Sequence, residues 1–135
     1  IETEEAAVWV ATSDDVPGLA TEAATMEALS DKLGDLVPEL LALNGYAVAG
    51  EIAYEVLARK LSITGQRNRL MVSSFTPELL RLLGQAGCYL VRPGKGDHSI
   101  WYSPITKLHF TVDSKIKSRH TGNAVLKQAG LPKQF

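Results

Sequence analysis

The sequence predicts an α+β chain built as two small units: strand–strand–helix–strand, then helix–strand–strand–strand–helix. Three observations carry this expectation. The hydrophobic period switches between two and about 3.6 residues at identifiable points. Helix punctuation recurs, with Thr25 before one apolar stripe and Asn44-Gly45 after it, Thr76-Pro77 and Gly87 around a second, and Thr121 and Gly130 around a third. Charge also divides sharply. Through Leu70 there are twelve acids and five bases; from Met71 onward there are three acids and nine bases. The net charge of −1 conceals this division, which marks two units with different partners.

The first unit covers residues 1–61. Residues 6–13 are apolar enough for a strand, with Val8 and Val10 on one face and Trp9 and Ala11 on the other. Asp14, Asp15, Pro17 and Gly18 supply turn chemistry, and residues 19–23 suit a short returning strand. Met26, Leu29, Leu33, Leu36, Val37, Leu40 and Leu41 then recur at helical spacing behind a Thr25 cap. Pro38 falls inside this helix, where its missing N–H should kink it. Ile52, Tyr54 and Val56 alternate with Ala53, Glu55 and Leu57, a third strand. A unit this small is marginal unless something covers its edges. Residues 62–75 are polar and mixed, and read as a linker or junction. Met71 looks like a translation start, so both a true fusion and two joined reading frames fit.

The second unit covers residues 76–135. Thr76 is expected to cap a helix with Pro77 at its first position. Leu79, Leu80, Leu82, Leu83 and Ala86 form its stripe, and Gly87 stops it. Strands are expected over 88–92, 98–103 and 107–112, with a glycine-rich turn over 93–97. Residues 113–120 read as a polar, basic loop, and 121–129 as a short helix closed by Gly130. This order is shared with double-stranded-RNA-binding domains, which contact RNA through shape, 2′-hydroxyls and phosphates.

Composition narrows the function classes. With 45% hydrophobic and 21% charged residues the chain suits a globular protein, not a disordered one. No apolar run approaches the ~20 residues of a membrane span, and none has the layout of a signal peptide. The lone Cys88, in an apolar run, excludes an internal disulfide and reads as a core thiol. These features point to the cytoplasm and away from membranes. No catalytic triad, phosphate loop, dinucleotide fingerprint or metal-ligand cluster stands out, so no cofactor is expected. A basic unit suits a polyanion, and an acidic neighbour suits a competitor for the same surface.

Across nearly its whole length the second unit resembles the HicA mRNA interferase toxins. A leading helix ends in Gly87-Cys88 and passes into Leu90-Val91-Arg92. Gly96-Asp97-His98 stands where the family has Gly-Ser-His. Phe110-Thr111-Val112 follows, then Leu126-Lys127-Gln128-Ala129-Gly130-Leu131, with Phe135 at the end. The first unit resembles short HicB-like antitoxin domains through residues 9–19 (WVATSDDVPGL) and Pro38-Glu39-Leu40-Leu41. That resemblance implies a partial RNase H-like fold over the first unit, without RNase H activity. Only residues 1–5 remain where the family has a further strand. There is no room for a DNA-binding helix-turn-helix, which argues against operator DNA as a partner of this chain.

The resemblance implies that His98 is the catalytic residue of a metal-independent endoribonuclease. Histidine suits the task because its unperturbed pKa near ~6.5 lets it take and return a proton near neutrality. The expected chemistry is removal of a proton from an RNA 2′-hydroxyl, which attacks the adjacent phosphate. Gly94 and Gly96 would let backbone N–H groups approach that phosphate, and Lys95 would add charge. Asp97 replaces the usual serine, and would either orient His98 or repel the phosphate. Lys115, Lys117, Arg119 and His120 precede a helix start and form a candidate RNA-phosphate clamp; an ordinary solvated basic loop is the bland alternative. His109 reads as a surface or packing residue. Trp101, Tyr102 and Tyr89 are more simply core or interface aromatics than base-stacking ones. Asp14 and Asp15 read as turn residues.

The function expected is a toxin–antitoxin module: mRNA is the substrate, and the acidic half covers the basic face in cis or in trans. The linker of about fifteen residues reaches at most ~50 Å, enough for cis inhibition, while domain exchange between chains would give a homo-oligomer. The alternatives are a catalytically silent RNA-binding module, spoiled by Asp97, and a transcriptional autoregulator complex.

Overall fold

The computed structural model of the chain describes residues 8–46, 50, 74–94 and 96–135. The third strand expected at 52–57, most of the 62–75 junction, Met71 and Lys95 lie outside the described residues.

The described chain is mixed α+β, with helices and two small antiparallel sheets. Strand β1 (Trp9–Thr12) pairs with β2 (Ala20–Ala23), Trp9 opposite Ala23 and Thr12 opposite Ala20. Helix α1 (Met26–Leu43) starts as its sequence demands: Thr25 Oγ1 accepts from the Ala28 N–H, satisfying one of the first-turn donors. Its Leu29, Leu33, Leu36, Val37 and Leu40 are buried against Leu19, Trp9 and Ala11, so the apolar stripe covers the hairpin. Burial of one such leucine is worth about 2 kcal/mol. The helix runs on through Pro38, which costs it the one bond the Gly34 carbonyl would have received.

In the second half, α2 (Thr76–Gln85) leads into β3 (Tyr89–Pro93), β4 (His98–Tyr102) and β5 (His109–Asp113), and α3 (Arg119–Ala129) follows. The strands form one antiparallel sheet in the order β3-β4-β5. Phe110 and Val112 of β5 pack with Leu79 and Leu83 of α2 and with Val125, Leu126 and Ala129 of α3, so both helices cover one sheet face. Cys88 belongs to this core, and burial pushes its thiol pKa up, as suits an inert core residue. Side chains alternate along a strand, and directly paired residues share a face. The register sets His98 opposite Asp113, Ile100 opposite Thr111 and Tyr102 opposite His109. These six therefore line the face turned away from α2 and α3.

Three local expectations are corrected. Thr76 does not cap α2: its hydroxyl donates to the Asp113 carbonyl and accepts from the Ile116 N–H, tying the helix start to the end of β5. Lys107 is not a strand residue but a left-handed turn residue (φ 63°), its N–H donating to the Ser103 carbonyl. Helix α3 begins two residues early, at Arg119, because Ser118 caps it by accepting from the His120 N–H. The segment before it is no solvated loop, since Ile116 and Ser118 are buried.

The first half packs along the outer edge of β5 and onto α3. The Thr111 N–H donates to the Gly18 carbonyl at 3.4 Å, and the Thr111 hydroxyl donates to the Ala20 carbonyl. Ala20 joins the second half's core. Asn44, at the end of α1, treats β5 as a strand partner would: its Oδ1 accepts from the His109 N–H and its amide donates to the His109 carbonyl. Gly18 packs tightly against the second half. Its N–H donates to the Gln128 side chain of α3, and a Cβ there would lie 2.2 Å from the His109 carbonyl oxygen.

Candidate functional site

His98 opens β4 on the face turned away from α2 and α3, and its side chain is only 3% exposed. What stands over it is a carboxylate. Glu39 of α1 places Oε1 3.5 Å from His98 Nε2, while its Oε2 accepts from Arg92 at 2.7 Å. The His98 Nε2 makes no hydrogen bond, an exception among buried nitrogens that calls for a reason.

Gly94 makes the room for this ring. A Cβ at Gly94 would lie 2.5 Å from both Cδ2 and Nε2 of His98. Its N–H donates to the His98 carbonyl at 2.9 Å, so in this arrangement that N–H serves the turn and is not turned to a phosphate. Gly96 is a left-handed turn residue with open space around it. The Asp97 carboxylate, largely exposed, lies 3.6 Å from Lys32 of α1.

Asp113, directly opposite His98, forms a second locus. Thr21 donates its hydroxyl to the Asp113 carboxylate at 2.8 Å, the Glu22 N–H donates at 3.1 Å and Lys32 at 3.2 Å. Lys32 also donates to the Glu22 carbonyl. Burial pushes the Asp113 pKa up, opposed by the Lys32 charge and the Thr21 hydroxyl. The Glu22 side chain continues to the start of α3, where its Oε2 accepts from the Lys117 N–H at 2.7 Å and its Oε1 from the Ser118 N–H at 3.1 Å. Burial also raises its pKa, with the Lys117 amide chief among the groups opposing the shift.

Of the basic constellation expected from sequence, Lys115 and His120 are exposed, and Lys117 and Arg119 are partly buried at the start of α3. The structure brings Lys117 and Arg119 to the α3 terminus that Glu22 fills, and sets His98 under Glu39. Sequence reasoning missed Glu22, Glu39, Lys32, Thr21 and Asp113. Only the acidity of the first half hinted at the two glutamates.

Residues 76–131 match the family described as HicA toxin of bacterial toxin-antitoxin. This stretch is similar to a HicA toxin domain. Residues 3–66 match a domain of unknown function, DUF1902. No curated protein and no solved structure matches the chain. The contacts at His98 and at α3 thus run between two separately matched stretches: Glu22, Lys32 and Glu39 from one, and Arg92, His98, Asp113, Lys117 and Ser118 from the HicA-like domain. Among the described residues, no group of three or more His, Cys, Asp or Glu is placed to hold a metal, and no helix is long and apolar enough to cross a membrane.

Proposed function

We propose that the HicA-like domain is an endoribonuclease toxin that cleaves mRNA through His98, and that the acidic first half is its HicB-like antitoxin, acting in cis. The observation that carries this reading is the Glu39 carboxylate lying 3.5 Å from the buried Nε2 of His98, which makes no hydrogen bond. His98 takes the proton of an RNA 2′-hydroxyl; the 2′-oxygen attacks the adjacent phosphorus and the P–O5′ bond breaks, leaving a cyclic phosphate and a free 5′-oxygen that takes up a proton. No step requires a metal. Arg92, at hydrogen-bonding distance from Glu39, is placed to neutralise charge on the phosphate once Glu39 withdraws.

Inhibition follows from the same geometry. With Glu39 in place, a transcript would meet a negative charge where its phosphate must go, and α1 where its backbone must lie. The element order α2-β3-β4-β5-α3 supports a double-stranded-RNA-binding-like domain in which the face turned away from α2 and α3 carries the chemistry. Nothing in the arrangement calls for operator DNA. Exchange of halves between two chains would use identical contacts, so a homo-oligomer is compatible with it.

Expression of residues 71–135 with and without residues 1–70 tests the proposal. Alone, the HicA-like domain should arrest growth and degrade transcripts, in the presence of EDTA when purified. Co-expressed residues 1–70 should restore both, and His98→Ala should abolish both. RNA retention without cleavage would select the silent RNA-binding module instead, and full toxicity of His98→Ala would remove the histidine from the mechanism.

A further inference from the structure

We infer that the amides of Lys117 and Ser118, with the Thr121 hydroxyl beside them, form a phosphate seat in the HicA-like domain, which Glu22 fills as a carboxylate stand-in. That the natural occupant is an RNA phosphate rests on the reading above; the seat itself does not.

Two consecutive N–H groups converge on the two oxygens of one carboxylate, 2.7 Å from Lys117 and 3.1 Å from Ser118. Successive amides aimed at one point are an anion-binding concavity. They stand immediately before α3, an eleven-residue helix with no acid in its first turn, so the helix dipole adds to the attraction. The second, independent observation is Thr121. It is fully buried, and its Oγ1 has no hydrogen-bond partner. It lies close enough to favour the Glu22 charge, yet falls short of hydrogen-bond geometry. A buried hydroxyl without a partner is costly. Each carboxylate oxygen can accept more than one hydrogen bond, yet with Glu22 seated the Thr121 hydroxyl still has no partner. A tetrahedral phosphate brings more oxygens than a carboxylate to the same two amides, and so further acceptors for a donor left over.

The seat is also linked to the histidine through Asp113. Glu22 is joined through its own N–H to Asp113, and Asp113 stands opposite His98 in the sheet. The first half therefore sets one carboxylate over the histidine and another at α3.

The test uses the full chain, as wild type, Glu22→Ala and Glu27→Ala, an exposed acid of α1 serving as control. Inorganic phosphate is titrated at constant ionic strength while the backbone amide resonances of Lys117 and Ser118 are followed by NMR. Glu22→Ala should show a saturable shift of these amides, half-complete at a phosphate concentration at least about tenfold below any seen for wild type or Glu27→Ala. A folded Glu22→Ala chain with no saturable shift would overturn the seat. If that variant does not fold, Glu22→Gln preserves the volume: a phosphate-dependent rise in Tm larger than wild type supports the seat, and an equal one overturns it. The two proposals separate cleanly. Phosphate binding by Glu22→Ala, with no RNA cleavage by residues 71–135, would remove the nuclease and leave the seat. RNA cleavage without phosphate binding would do the reverse.

Discussion

At the scale of single residues, the site is defined by what Gly94 lacks. His98 is enclosed between the Gly94 backbone and the Glu39 carboxylate, and the ring has no slack on the Gly94 side. Gly94→Ala places a methyl group 2.5 Å from two ring atoms, so the imidazole must shift. Displacement of a catalytic group by about 1 Å costs on the order of 100-fold in rate. Under the nuclease reading, Gly94→Ala in residues 71–135 should cut RNA cleavage by about 10- to 100-fold while leaving phosphate binding at α3 intact. Cleavage of a labelled RNA, read alongside the circular dichroism spectrum, checks this; an unchanged rate would mean that the ring's position does not matter.

At the scale of elements, the junction depends on β2 lying against β5, and Gly18 sets how closely. A side chain there is strained by its φ of +86° and meets the backbone of His109 and Phe110, which cannot step aside as a flexible side chain could. Gly18→Ala should destabilise the full chain by at least about 2 kcal/mol, seen as a lower urea midpoint. A loss below about 0.5 kcal/mol would show that the β2 edge is not held there. The elements themselves were largely legible in the sequence. The leucine stripe of α1, the Thr25 cap, the stops at Asn44, Gly87 and Gly130, and the three strands of the second sheet follow local rules, and local rules suffice for them. The failures have two causes. The Thr76 hydroxyl is settled by distant partners at Asp113 and Ile116, of which period and propensity carry no trace, whereas the turn at Lys107 and the early start of α3 rest on Ser103 and Ser118, close in sequence, and are local signals that the apolar periods mask. The site divides the same way. His98 was reachable through resemblance to a family. Glu22, Glu39 and Lys32 act across the junction, and a glutamate that fills another element's anion seat looks, in sequence, like any surface acid.

At the scale of the whole molecule, the charge division is real but not one-sided. The acidic half sends Lys32 towards Asp97 and Asp113 of the basic half, while the basic half receives Glu39 and Glu22. Each half thus carries charges that only the other satisfies, and this has a consequence for pH. Burial raises the pKa of both Asp113 and Glu22 above the ordinary values, near ~3.9 and ~4.3, that they hold in the unfolded chain. Between the unfolded and folded values the folded chain binds protons that the unfolded chain does not, so stability falls as pH rises through that window. The stabilising contribution is fully present below the unfolded values and lost above the folded ones. Mild acidification should therefore tighten the junction, the opposite of an acidic cover that loosens as its carboxylates protonate. The urea midpoint of the full chain should rise as pH is lowered through the window just above the ordinary carboxylate values, and Asp113→Asn should show a shallower rise, whatever its absolute stability. Comparing the two slopes isolates the contribution of the Asp113 carboxyl. Equal slopes would mean that Asp113 does not couple protons to the docking of the halves, and a midpoint that falls on acidification in wild type alone would reverse the sign of the argument.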